Sequence, residues 1–197
     1  MKTNLTSKAH EITAEFFAGN PPIFAVDATV GNGWDTLFLS RLVGGGAVFG
    51  FDIQKEALGR AGELLEKNAQ SGNVVLFLDG HENMQKRIPQ EACGKINCVY
   101  FNLGWLPKSD KTTVTKAETT AAALSSSLDI IDKSNGLLSV LCYRGHEGGA
   151  EEYGRVLRFF SERFGANFEK YLDEQNDVSP VLMVAKFSNK NKLQKSV

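Results

Sequence analysis

Short apolar runs alternate with helical patterns along the chain, and that alternation leaves few folds open. Residues 23–28 (IFAVDA), 47–53 (AVFGFDI), 73–79 (NVVLFLD), 96–104 (INCVYFNLG) and 136–145 (GLLSVLCYRG) read as strands. Helical patterns follow them at about 34–43, 54–68, a shorter piece from near His81, 116–132 and 147–164. Near-continuous apolar strands separated by helices imply an α/β fold, a parallel sheet covered on both faces. Two last candidates, FEKYLDEQ and PVLMVAKF, follow each other through the turn-like NDVS and are expected to pair antiparallel. A helix within residues 1–20 opens the chain, and a polar tail over 188–197 is expected to fray.

The 197 residues make one domain of ordinary globular composition, 42% hydrophobic and 23% charged. No internal repeat, low-complexity tract or interdomain linker stands out. Formal net charge is −1, from 22 basic and 23 acidic residues. That balance argues against coating nucleic acid through bulk charge, and leaves a local basic patch open. No apolar run approaches the ~20 residues that span a bilayer. The N-terminal MKTNLTSKAHEITAEFF has no apolar core or cleavage site of a leader, so a cytoplasmic protein is expected. The three cysteines, Cys93, Cys98 and Cys142, are odd in number and lack C-x-x-C spacing, so neither a disulfide framework nor a metal site is expected. Buried free thiols are the plain explanation for those in apolar runs.

In an open parallel sheet, ligands bind beyond the carboxyl ends of the strands near the switch in strand order. The residues just after each strand therefore carry the functional signal. After the first comes Asp27-Ala-Thr-Val-Gly31-Asn32-Gly33-Trp-Asp35-Thr36. Its glycines allow a sharp turn and close approach of a ligand to the backbone. A dinucleotide fingerprint would put a small residue at position 36 to seat a pyrophosphate. Thr36 stands there instead, and Asp35 adds negative charge that repels a diphosphate but suits a cationic ligand. Asp52 ends the second strand, 19 residues past Gly33, where an acid accepts both ribose hydroxyls. Together these residues point to S-adenosylmethionine rather than a nicotinamide cofactor. Asp79 could accept an adenine amino group or cap the next helix, and His81 could lie against the ring.

After the fourth strand comes Phe101-Asn102-Leu103-Gly104-Trp105-Leu106-Pro107. The Asn102 amide oxygen and the Leu103 carbonyl could accept N–H bonds from a substrate amine and aim its lone pair, so that catalysis is mainly positioning. Trp105 offers a stacking face for a base. The loop of about a dozen residues that follows brings Lys108, Lys111 and Lys116 near this site. After the fifth strand, Arg144 could bind a phosphate and His146 could contact substrate or relay a proton. Glu147, Glu151 and Glu152 fit a first-turn preference and need no catalytic role.

DATVGNGWDTLFLS, FGFDIQ, FNLGWLPKSDK and YRGHEGGAEE, in this order, resemble the MnmM-type methyltransferases over nearly the whole chain. The resemblance implies a class I, Rossmann-like methyltransferase fold: a seven-stranded, mostly parallel sheet with its last strand antiparallel. It implies methyl transfer from S-adenosylmethionine to 5-aminomethyl-2-thiouridine at the wobble position, with the tRNA anticodon loop as partner. Carried over, Gly31, Asn32, Gly33, Asp35, Asp52, Ile53, Gln54 and His81 look like cofactor positions. Asn102, Leu103, Gly104, Trp105, Tyr143, Arg144 and His146 look like the substrate side. Arg144 departs from the smaller or neutral residue expected there.

The cysteines bear on the chemistry independently. Methylating a pyrimidine carbon typically needs a cysteine nucleophile on a strand-end loop, and none of the three stands in that context. Nitrogen transfer fits better, with no evident general base and water sufficient. Rival readings are methylation of rRNA or a small amine, and a non-catalytic nucleotide-binding module. A homodimer is left open.

Overall fold

The computed structural model describes residues 4–104, 114–172 and 178–188. Seven strands form one sheet: β1 (Phe24–Asp27), β2 (Ala47–Asp52), β3 (Val74–Leu78), β4 (Ile96–Leu103), β5 (Asn135–Cys142), β6 (Glu169–Leu172) and β7 (Val181–Ser188). Their order is β3-β2-β1-β4-β5-β7-β6. β1 to β5 pair in parallel, and β7 runs antiparallel to both β5 and β6. The helices are α1 (Leu5–Phe16), α2 (Trp34–Leu42), α3 (Lys55–Lys67), the short α4 (Met84–Arg87), α5 (Ala117–Ile130) and α6 (Gly149–Phe164). This is the class I S-adenosylmethionine-dependent methyltransferase fold. The elements expected from the apolar runs are all present among the described residues.

Alternation along the central strands sorts side chains into two cores. Cys98 and Tyr100 of β4 join Leu137 and Leu141 of β5 under α1 and α2. Val99, Phe101 and Leu103 join Leu138 and Val140 under α5 and α6. Period-two alternation with both faces apolar is what a doubly covered sheet requires. The three cysteines are free, with Cys98 and Cys142 buried in these layers.

The helix α1 is tied down as well as packed. Leu5, Ala9 and Ile12 are buried against the sheet. The Tyr100 hydroxyl, itself buried, donates to the Ala9 carbonyl at 2.9 Å and lies 2.7 Å from Thr13 Oγ1. Among the described residues, no helix is long and apolar enough to cross a membrane. The order of strands reverses between β1 and β4, and the ends of β1, β2, β4 and β5 converge beside that switch.

Candidate active site

The floor of the site is the turn after β1. Asp27 is fully buried; its Oδ1 accepts the Thr29 N–H at 3.1 Å and its Oδ2 accepts the Thr36 hydroxyl at 2.6 Å. Thr29 Oγ1 in turn accepts the Asn102 N–H at 2.7 Å, joining β1 to β4. Burial, aided by the nearby Asp35 carboxylate, pushes Asp27 up to about 7. Asp27 and Thr36 thus lie beneath the loop and not on a ligand-facing wall, which corrects their expected place among the cofactor contacts. The reading of Gly33 also changes. It sits at φ +84°, and a Cβ there would come within 2.8 Å of Ala61 on α3. Gly33 is needed for close packing of the loop on a helix, while Gly31, at φ +52°, faces the open side.

Above this floor lies a cavity of ≈ 630 Å³. Gly31, Asn32, Asp35, Asp52, Ile53, Gln54, Asp79, His81, Asn102, Gly104 and Tyr143 all reach its wall, as expected from the strand ends. Asp52 Oδ2 accepts the Gly31 N–H and Oδ1 accepts the Gln54 N–H, each at 2.8 Å. Burial raises the Asp52 carboxyl, and those two backbone bonds work against the rise. Asp79 caps its own turn: Oδ1 accepts from Gly80 N–H and Asn83 Nδ2, both at 2.9 Å, and Oδ2 accepts from Arg87 Nε at 2.6 Å. Arg87 is the main reason its carboxyl is held low. His81 is buried, with Nδ1 3.1 Å from the Ala28 carbonyl and its ring edge-on to Phe101. Burial lowers its pKa, and the carbonyl contact makes Nδ1 the protonated nitrogen. Lys116 is the only Lys or Arg among the described wall residues, against four carboxylates, Asp35, Asp52, Asp79 and Glu82. Such a wall favours cationic ligand groups.

At the end of β4 the Asn102 side chain is fixed by an acid. Its Nδ2 donates to Asp35 Oδ2 in a short hydrogen bond, and Asp35 Oδ1 bonds His10 Nε2 on α1. The His10 ring stacks flat on Phe38, 3.9 Å between centroids and 7° between planes. With its amide nitrogen turned to Asp35, Asn102 has its oxygen left to accept. The Leu103 side chain is fully buried, and its carbonyl accepts the Tyr143 N–H at 3.0 Å in the ladder with β5. That bond takes one lone pair of the carbonyl and leaves the other for a further donor.

The rRNA_methylase family model, described as "Putative rRNA methylase", matches residues 48–184. A solved protein of that description from Clostridium thermocellum is 34% identical, with a TM-score of 0.84 over 94% of this chain and 98% of its own. A methyltransferase from Streptococcus mutans, solved in complex with SAH, is 32% identical, with a TM-score of 0.76 over 93% and 98%. The chain belongs to this family. A chloroplastic tRNA (mnm(5)s(2)U34)-methyltransferase from Arabidopsis thaliana is 39% identical over 145 residues, 69% of this chain and 52% of that protein. The chain therefore spans about half the length of that curated relative.

In this family member, the segment returning from the fourth strand end is clamped. The Gly104 carbonyl accepts the Thr115 N–H at 3.0 Å. Buried Glu152 of α6 accepts the hydroxyls of Thr115 at 2.7 Å and Thr120 at 2.6 Å. Glu152 stands in the first turn of α6, as read from the sequence, and is also an interior clamp. Trp105, Lys108 and Lys111 lie outside the described residues, while Lys116 reaches the cavity wall. Arg144 and His146 do not reach it. Arg144 Nε donates to the Ser179 carbonyl at 2.7 Å, and its guanidinium lies over Tyr153. His146 Nδ1 lies 2.8 Å from the Glu147 carbonyl. The backbone before β7 competes for Arg144, and it could not be located from sequence. Reasoning from sequence also missed His10 and Trp34. The signal for Trp34 was available: a tryptophan at the first position of a helix after a glycine turn, here 64% exposed on the cavity wall. His10 lies within an amphipathic helical stretch and carried no such signal.

Proposed function

We propose that this chain is an S-adenosylmethionine-dependent N-methyltransferase that converts 5-aminomethyl-2-thiouridine to 5-methylaminomethyl-2-thiouridine at the tRNA wobble position. The observation that carries the reading is the pinned amide of Asn102 on the wall of an acidic cavity at the switch point. An amide oxygen held there accepts an N–H of a primary amine and directs its lone pair. The named activity of the chloroplastic relative supports the choice of acceptor.

The donor set suits the cofactor. Asp52, oriented by two backbone amides, would hold the ribose hydroxyls; the Gly31–Asn32 turn and the neighbouring acids would take the cationic methionine end. Ile53 and Gln54 would flank the adenosine. When bound, the cofactor supplies an electrophilic methyl group. Asn102 would then orient the amine toward it. A flipped wobble base needs a pocket, a stacking surface and a few local cations rather than a strongly basic protein. A chain of net charge −1 meets that need with Lys116 on the wall.

The test is mass spectrometry of nucleosides after incubating purified protein and cofactor with tRNA carrying aminomethyl-thiouridine, with ribosomal RNA as a parallel acceptor. The expected result is a gain of one methyl on the wobble nucleoside. An unchanged nucleoside beside a methylated rRNA would overturn the assignment.

A further inference from the structure

We propose that Asp35 takes the proton from the substrate's ammonium group and that His10, on the N-terminal helix, positions Asp35 to do so. The inference rests on the amine acceptor proposed above. A primary alkyl amine is mostly protonated in neutral water, and the protonated nitrogen has no lone pair to offer. Asn102 can accept an N–H but cannot remove its proton. Among the described residues, the carboxylate hydrogen-bonded to Asn102 is Asp35, and it faces the same cavity. Of the other wall acids, Asp52 answers to the Gly31 and Gln54 amides and Asp79 to Asn83 and Arg87, and Glu82 stands beside Asp79 on the turn after β3.

His10 completes the line from outside. Its Nε2 holds Asp35 Oδ1, leaving Oδ2 toward Asn102. The ring cannot swing freely, because it lies flat on Phe38 and its helix is tied to Tyr100 through Ala9 and Thr13. The His10 side chain is 26% exposed against 12% for Asp35, so the line runs from the cavity toward solvent. The titratable groups facing Asp35 are His10 from α1, Asp27 from β1, Tyr100 from β4 and Tyr143 from β5.

The step balances. An N–H bond of the ammonium breaks and an O–H bond forms on Asp35, leaving the electron pair on nitrogen. That pair forms the new N–CH3 bond as the C–S bond breaks, with its electrons going to sulfur. The Asp35 proton leaves to water, for a net release of one proton per turnover.

The test is single-turnover methylation of a modified anticodon stem-loop by Asp35→Asn, His10→Ala and His10→Gln, from pH 7 to pH 9.5. Asp35→Asn should lose about 100-fold in rate at pH 7. The deficit should shrink to within about 10-fold at pH 9.5, where far more of the amine is already free of its proton. His10→Ala should lose about 10-fold in kcat with KM and cofactor affinity unchanged, and its deficit should shrink with pH likewise. His10→Gln, which keeps an N–H donor for Asp35, should recover most of the rate. A deficit equal at all pH values in both Asp35→Asn and His10→Ala would overturn the proposal and leave the function intact. His10→Ala at the wild-type rate would remove His10. A wild-type protein that binds cofactor but methylates no stem-loop would overturn the function, and this inference with it. Cofactor binding by calorimetry separates either result from misfolding.

Discussion

The two halves of the cavity are assembled differently. On the β1–β2 side, contacts are short in sequence: Asp27 to Thr29 and Thr36, Asp52 to Gln54, and Gly31 to Asp52 across 21 residues. On the β4–β5 side they are long: Thr29 to Asn102 across 73 residues, Asp35 to Asn102 across 67, Thr115 to Glu152 across 37. The first half is a prepared cradle made by one turn and one strand end. The second exists only when helices from both faces of the sheet are seated. In the proposed enzyme, the cradle governs cofactor affinity and the long-range half governs the rate of transfer.

Substitutions that separate binding from rate would sharpen that contrast. The largest effect is expected at Asn102. Asn102→Ala should lower kcat by about 10²–10³-fold while cofactor affinity stays within a few-fold, read by steady-state kinetics beside calorimetry. An affinity loss as large as the rate loss would break the contrast. Asp52→Asn should do the reverse, weakening cofactor binding about 10- to 100-fold, or ~1.4–2.8 kcal/mol, with kcat at saturation nearly unchanged.

Glu152→Ala leaves the hydroxyls of Thr115 and Thr120 without their acceptor. It should cost ~1–3 kcal/mol in chemical denaturation and lower kcat more than cofactor affinity. A pH slope is expected at Asp27. Its folded pKa of about 7 lies above the 3.8 of an unperturbed carboxyl, so between those values the folded chain keeps a proton that the unfolded chain gives up. This group therefore adds stability at low pH that is lost as pH rises from about 4 to 7. Asp27→Asn should remove that part of the slope in urea titrations across the same range.

The same contrast separates what was legible in the sequence from what was not. Strands and helices could be read because apolar periodicity is local, and so could the wall positions that directly follow a strand: Gly31, Asp52, Asn102 and Tyr143. The ladder bond of the Leu103 carbonyl could not be read, because it depends on the register of β4 against β5, which sets the Tyr143 N–H opposite it. Arg144 and His146 follow a strand yet turn toward backbone at Ser179 and Glu147. The place of Glu152 in the first turn of α6 could be read, but its bonds to Thr115 and Thr120 could not, because they lie more than 30 residues away. His10 could not be found at all, since nothing in KAHEITAEFF says which strand the helix will cross.

The clamp between Tyr100 and α1 also bears on the order in which the protein is made. Ala9 and Thr13 meet Tyr100 across 91 and 87 residues of chain. α1 therefore leaves the ribosome about 90 residues before its seat exists. Until β4 emerges, Leu5, Ala9 and Ile12 have no finished sheet to cover them, and His10 has no fixed approach to Asp35. While that stretch is made the nascent chain carries a sticky amphipathic segment, which makes α1 a place where a chaperone would be expected to hold it.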